Sequence, residues 1–124
     1  VHDDREQLDR IADALKAAAY GVAAFQDSMT ALTAIEAAQQ VELLITRIVF
    51  PAGKPNGVSL ALVAKGKRPA LKVIFTALPE HAARAEGIGE FLPLPLSIAD
   101  LLALVSRHLQ PDPGERQSQI SAPV

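Results

Sequence analysis

Cysteine is absent from all 124 residues, which excludes disulfides, thiolate metal sites and a cysteine nucleophile. That absence fits a reducing compartment, and a cytoplasmic location is expected. No uninterrupted apolar run approaches the roughly 20 residues of a membrane-spanning helix, and no signal peptide opens the sequence. A charge excess is lacking as well: 12 Lys and Arg stand against 14 Asp and Glu, net −2. The basic surplus of a nucleic-acid binder is therefore missing, and neither a membrane nor direct nucleic-acid contact is expected. Gly87-Ile88-Gly89 lacks the rest of a dinucleotide fingerprint and precedes a strand rather than a helix. Histidines at metal-ligand spacing are also absent.

What is present suits one domain with one core, because 49% of the residues are hydrophobic and 21% charged. Leu8, Ile11, Ala12, Leu15 and Ala18 recur at helical spacing over 5–19, with Asp4 placed as N-cap. Gly21 stops that helix and a short apolar run over 22–25 reads as a strand. An alanine-rich helix capped by Ser28 runs to Gln40, and 41–46 is a strand without alternation, made for burial on both faces. Two prolines and two glycines make 51–57 a loop. Then follow a helix over 58–65, a strand over 72–76, a short helix over 79–86, a strand over 90–92 and a helix over 97–109 capped by Ser97.

Short apolar strands alternating with helices demand parallel pairing, hence a doubly wound α/β sheet covered on both faces. The domain is expected to span 1–110, with the proline-rich, polar segment 111–124 a disordered tail or linker. Before Arg5 only Val1 and His2 are available for a first strand, so that strand looks truncated and the chain reads as a piece of something longer.

Ligands of open parallel sheets bind at the carboxyl ends of the strands. Those ends carry Asp3 and Asp4, Arg47, Thr76-Ala77, and Pro93-Leu94-Pro95. In this order, from Val1 to Leu109, the set resembles the receiver domain of two-component response regulators. The resemblance implies a five-stranded sheet of order 2-1-3-4-5, an acidic pair holding Mg²⁺, an aspartate phosphoacceptor and a lysine that pairs with the phosphoryl group. Asp3, Asp4 and Thr76 match the pattern, and Phe91 takes the place of the aromatic switch residue. Arg47 stands at the phosphoacceptor position and Leu94 at the lysine position, and the 51–57 loop is about two residues longer than the usual spacing.

Acyl phosphate formation needs a carboxylate nucleophile and a divalent cation. A guanidinium keeps its proton at physiological pH and cannot attack phosphorus. The resemblance therefore implies a degenerate receiver: not an enzyme, independent of phosphorylation, and without a cofactor. Arg47 is expected to bridge Asp3 and Asp4 in place of Mg²⁺, against the plainer alternative of a side chain reaching into solvent. If any metal binds, those two aspartates are its ligands.

The resemblance also implies signalling through protein contact, by way of the face built from 79–86, 90–92 and 97–109, to a partner or a second copy. An output domain in the parent chain fits the same picture. Leu94 and Leu96, flanking Pro95, are expected to expose an apolar loop patch on that face. The alternatives are a phosphorylatable receiver with a displaced acceptor, or a small α/β enzyme using Asp3 and Asp4. Lys54, Lys65, Lys67, Arg68 and Lys72 form an acid-free basic stretch best read as a solvated face. His2, His81 and His108 read as packing or surface histidines, with His108 favoured by the dipole at a helix C-terminus.

Overall fold

The computed structural model describes residues 1–50 and 56–109. The segment 111–124, and most of the 51–57 loop with Lys54 in it, lie outside the described residues. Helix α1 (Arg5–Ala17) begins where the Asp4 carboxylate accepts the amides of Glu6 and Gln7, and it buries Leu8, Ile11, Ala12 and Leu15. It ends early because Ala19 turns into left-handed backbone (φ 73°) and the Tyr20 amide reaches back to the Leu15 carbonyl.

Helix α2 (Ser28–Ala37) is capped by Asp27, not Ser28. The Asp27 carboxylate accepts both the amide and the hydroxyl of Thr30. Two good capping residues stand side by side, and the one with extended backbone takes the role. The chain continues through β1 (Leu43–Arg47), α3 (Gly57–Lys67), β2 (Lys72–Ala77), a 3₁₀ helix (Pro79–Ala85), β3 (Glu90–Pro93) and α4 (Ile98–Leu109). The expected helix over 79–86 is thus wound tighter than an α-helix, between Pro79 and Gly87, the latter at φ 77°. Ser97 does cap α4, its hydroxyl accepting the Asp100 amide.

The three strands form a parallel sheet of order β1-β2-β3. Leu43 to Arg47 lie opposite Lys72 to Thr76, and Ile74 to Ala77 opposite Glu90 to Pro93. Strand β2 carries the alternation that divides the core. Val73, Phe75 and Ala77 join Ala31 and Ile35 of α2 and Leu60, Ala61 and Ala64 of α3. Ile74 turns the other way, to Ile11 and Leu15 of α1 and Leu101 and Val105 of α4. Helices therefore cover both faces, as continuous apolar strands require.

The run over 22–25 carries no ladder of its own. Its Phe25 carbonyl accepts the His2 amide, and on the other side the Arg47 amide donates to the Val1 carbonyl, both at 3.0 Å. Where α3 begins against the end of β1, the Gly57 amide donates to the Ile48 carbonyl at 2.8 Å. A Cβ on Gly57 would stand 1.7 Å from the Arg47 carbonyl oxygen, so only glycine permits this approach.

Between the 21–25 segment and β1 lies a cleft of about 690 Å³, lined by apolar residues of α1, α2 and the end of α4. Sealed and empty, 690 Å³ would cost on the order of 17 kcal/mol at about 24 cal/mol per Å³, beyond the total stability of an ordinary domain.

Candidate functional site

The carboxyl ends of β1 and β2, with the turn into α1, bring Asp3, Arg47 and Thr76 to one edge of the sheet. Each is delivered by local backbone rules. Asp4 stops the chain as N-cap and leaves Asp3 just outside the helix. Arg47 is the last residue of β1, and β2 sets Thr76 directly opposite it.

Arg47 Nη1 donates to Asp3 Oδ1 at 2.8 Å, a charge-assisted bond between side chains 26% and 29% exposed. At that exposure the pair contributes on the order of 1 kcal/mol, more than a fully solvated pair and less than a sealed one. The expected bridge across both aspartates reaches only one. Asp4 is exposed, and its Oδ1 already accepts the amides of Glu6 and Gln7 in the first turn of α1. The plainer alternative, a guanidinium reaching into solvent alone, is not what the geometry shows.

His2 packs beneath this pair at 4% exposure, and its Nδ1 accepts the Asp4 amide at 3.1 Å. Nδ1 is therefore the unprotonated nitrogen of a neutral ring, so its 3.8 Å approach to Asp3 Oδ1 is a close contact rather than an ion pair. Burial holds the His2 pKa down at about 4, and the Arg47 charge pushes the same way, with Asp3 partly opposing.

Thr76 is 1% exposed and its hydroxyl has no hydrogen-bond partner among the described residues; Arg47 Nε is likewise unpartnered. Leu94 is half-buried against the core, its amide donating to the Ala77 carbonyl at 2.8 Å across a turn with a cis Leu94-Pro95 bond. The expected apolar patch of Leu94 and Leu96 does not form, because Leu96 is 7% exposed inside the α1/α4 core. The exposed apolar residues here are Val49, just past β1, and Leu78, just past β2. Sequence reasoning missed both, although each lies within two residues of a strand end, where side chains project at the sheet edge.

Phe91 lies opposite Phe75 and is half-buried against the α2/α3 core. Most of the basic stretch is spent on internal contacts. Lys67 pairs with Glu36 at 2.9 Å, Lys65 donates to the Ile88 carbonyl, and the Arg68 guanidinium caps the end of α2 by donating to the Ile35 and Ala38 carbonyls. His108 lies 3.7 Å from Glu90, which Arg107 also holds at 2.9 Å, tying α4 to β3. His81 sits half-buried on the 3₁₀ helix, away from these groups.

For a divalent ion the donor set is poor. A hard cation of this kind takes several oxygens, carboxylates first. At this edge one carboxylate is held by a guanidinium, the other by helix amides, and no group of three His, Cys, Asp or Glu suited to a metal occurs among the described residues. No helix among the described residues is long and apolar enough to cross a membrane.

No protein-family model matches the chain, and no curated protein matches it. Solved structures do. A CheY-like response regulator receiver domain from Methanospirillum hungatei superposes with a TM-score of 0.76 at 24% identity, over 95% of this chain and 93% of that one. NtrX from Brucella abortus, in complex with ATP, matches with a TM-score of 0.79 at 19% identity, over 95% of this chain and 28% of its own. Streptococcal redox sensors described as evolved from two-component response regulators match at 0.77 and 13%, over 100% of this chain and 54% of theirs. The fold is that of response regulator receiver domains.

Proposed function

We propose that this chain is a degenerate receiver that does not accept phosphate and acts through protein contact, with no catalytic step of its own. The observation that carries the reading is the 2.8 Å bond from Arg47 to Asp3. It sets a fixed cation at the position where the resembled family keeps a nucleophilic carboxylate, and it neutralises one member of the acidic pair. Arg47 offsets one of the two carboxylate charges that a divalent ion would neutralise, which lessens the need for an ion at this edge. Leu94 at the lysine position agrees, because a phosphoryl partner is unnecessary where none is formed.

The sheet order 2-1-3-4-5 belongs to the same proposal, with residues 1–2 as the end of its central strand. Their bonds to Phe25 on one side and Arg47 on the other support that placement. Signalling then passes through the face of the 3₁₀ helix, β3 and α4, toward a protein partner, a second copy or an output domain in a longer parent chain. The streptococcal proteins of the same fold, described as redox sensors evolved from response regulators, support a role for this fold outside the ordinary one, although a thiol-based redox role is closed to a chain without cysteine. The domain occupies 1–110, in the cytoplasm.

Incubation with acetyl phosphate and Mg²⁺, followed by intact mass spectrometry, tests the site. The unmodified mass is the expected result. An added phosphoryl group would overturn the reading in favour of a displaced acceptor, and site-specific millimolar Mg²⁺ binding at Asp3 and Asp4 in an NMR titration would remove the built-in cation.

A further inference from the structure

The two helical layers differ in what they present to solvent. Outward positions of α1 mix both signs of charge, with Arg5, Glu6, Asp9, Arg10 and Asp13 all exposed, as suits a solvated helix. Helix α3 has no such face. Its Leu60, Ala61 and Ala64 are buried, while Leu62 and Val63 on the outer side are 54% and 44% exposed between the small residues Ser59 and Gly66. A helix apolar on every side is normally covered on every side. Beside it, α2 exposes Met29 at 54%, and Phe25, Met29, Thr33 and Ala37 line a shallow uncharged groove along its surface.

Charge is sorted between these two helices. Over residues 17–46 there are three acids, Asp27, Glu36 and Glu42, and no Lys or Arg, whereas over 47–79 there are six Lys and Arg and no acid. The layer is therefore acidic along α2 and basic along α3. The helices run side by side in one direction, because Lys67 at the end of α3 pairs with Glu36 near the end of α2 at 2.9 Å, and Arg68 donates to the Ile35 and Ala38 carbonyls.

Such a face is its own complement. When a second copy is laid on it by a two-fold axis parallel to the helices, α2 of each chain meets α3 of the other, acid against base. An axis across the helices sets α3 on α3, base against base, and like charges disfavour it.

We propose that the outer face of α2 and α3 seats a second copy of this chain, in a two-fold dimer with Leu62 and Val63 of each copy against α2 of the other. Glu36 of one copy then lies opposite Lys67 of its mate. At 47% and 44% exposure the Lys67 and Glu36 side chains pair within the chain and still have surface free for a neighbour. A nucleic acid finds no net excess of base on this face, because α2 supplies the acid. The dimer leaves the face of the 3₁₀ helix, β3 and α4 open to a different protein, and it does not depend on whether Arg47 blocks phosphorylation.

Sedimentation of the 124-residue protein across concentration tests it. A reversible equilibrium of monomer and dimer is expected below roughly 1 mM. Leu62→Glu, at an exposed position, should weaken the dimer about tenfold or more, and Asp9→Lys on α1 should leave it unchanged. Glu36→Lys or Lys67→Glu alone places like charges across the interface and should weaken it by about the same factor, while a 1:1 mixture of those two variants should recover the dimer as a mixed pair. Mixing cannot repair the bridge inside either chain, so recovery reads the contact between chains and does not rely on Leu62→Glu remaining folded. A monomer mass at every concentration would overturn the proposal and leave the face to another protein. A dimer untouched by Leu62→Glu would overturn it in favour of another face, and a mixture no tighter than its components would overturn the pairing of α2 with α3. The acetyl phosphate experiment reads the other site, so the two failures stay distinct.

Discussion

Strands β1 and β2 are similar in sequence and different in circumstance. Both are short and largely apolar, yet Val73 to Ala77 of β2 are all buried, whereas β1 alternates between buried and half-buried. The difference lies in their edges. β2 has a paired neighbour on each side, while β1 is paired along one side and, on the other, meets only Val1 before the cleft opens. A strand becomes core when both its edges and both its faces are occupied, and composition supplies only the faces.

The strongest way to break this comparison is to truncate one residue in each strand. Phe75→Ala, at a fully buried site, is expected to cost about 3–5 kcal/mol, against roughly 1 kcal/mol for Ile45→Ala on the cleft side. Urea denaturation of both variants measures the gap, and equal losses would make β1 as much core as β2.

Acid probes the same edge through His2, which is buried at the end of the cleft. Its pKa is about 4 in the fold, with burial the main cause, against about 6.5 in an unfolded chain. The unfolded state therefore binds more protons between those values. The stability from the neutral ring is complete above pH 6.5 and is lost as pH falls toward 4, on the order of 2 kcal/mol. Denaturant titrations of the protein and of His2→Phe across pH 4–7 should diverge in slope, and parallel curves would show that His2 does not govern this edge.

Gly57→Ala sharpens the comparison at the junction of β1 and α3. The added Cβ meets the Arg47 carbonyl, so α3 must retreat, and a loss of about 1–3 kcal/mol is expected from overpacking. Gly66→Ala, with open space around it, should instead be neutral or slightly stabilising, and thermal melts of the pair would separate close approach from general glycine effects.

A modest stability effect is expected at the candidate site. Arg47→Asp replaces a 2.8 Å attraction by like-charge repulsion, a change on the order of 1–2 kcal/mol. Millimolar Mg²⁺ should restore most of that loss in the variant and leave the parent protein unchanged. An unaltered Mg²⁺ response would mean that Arg47 and the ion do not substitute for one another.

How far the site was legible follows from the same particulars. Arg47 was conspicuous as a guanidinium closing an apolar run, and the rule that strand ends gather functional groups was enough to bring it toward the acidic pair. Which aspartate it meets was not legible. They are adjacent residues just ahead of the helix, and the N-cap geometry alone claims Asp4 and leaves Asp3. Asp27 over Ser28 as cap of α2 repeats the lesson, since propensity ranks such neighbours equally and the extended backbone of Asp27 decides between them. The 22–25 run reads as a strand because it is apolar and short, yet a ladder requires a partner, and only two residues stand beside it. Leu96 looked like an exposed loop residue, but the turn after β3 returns it to the core.

By itself the sequence determined the class of the fold, the succession of most of its helices and strands, the lack of a thiol, and a fixed positive charge at the end of β1. Those properties follow from side-chain periodicity and from the fixed charge of a functional group, which every copy of the residue has wherever it sits. The tertiary structure alone decided which carboxylate the guanidinium holds, which apolar residues reach the surface, and that a cleft opens beside β1. Pairing and burial depend on the separation of groups distant along the chain, and that separation exists only after folding.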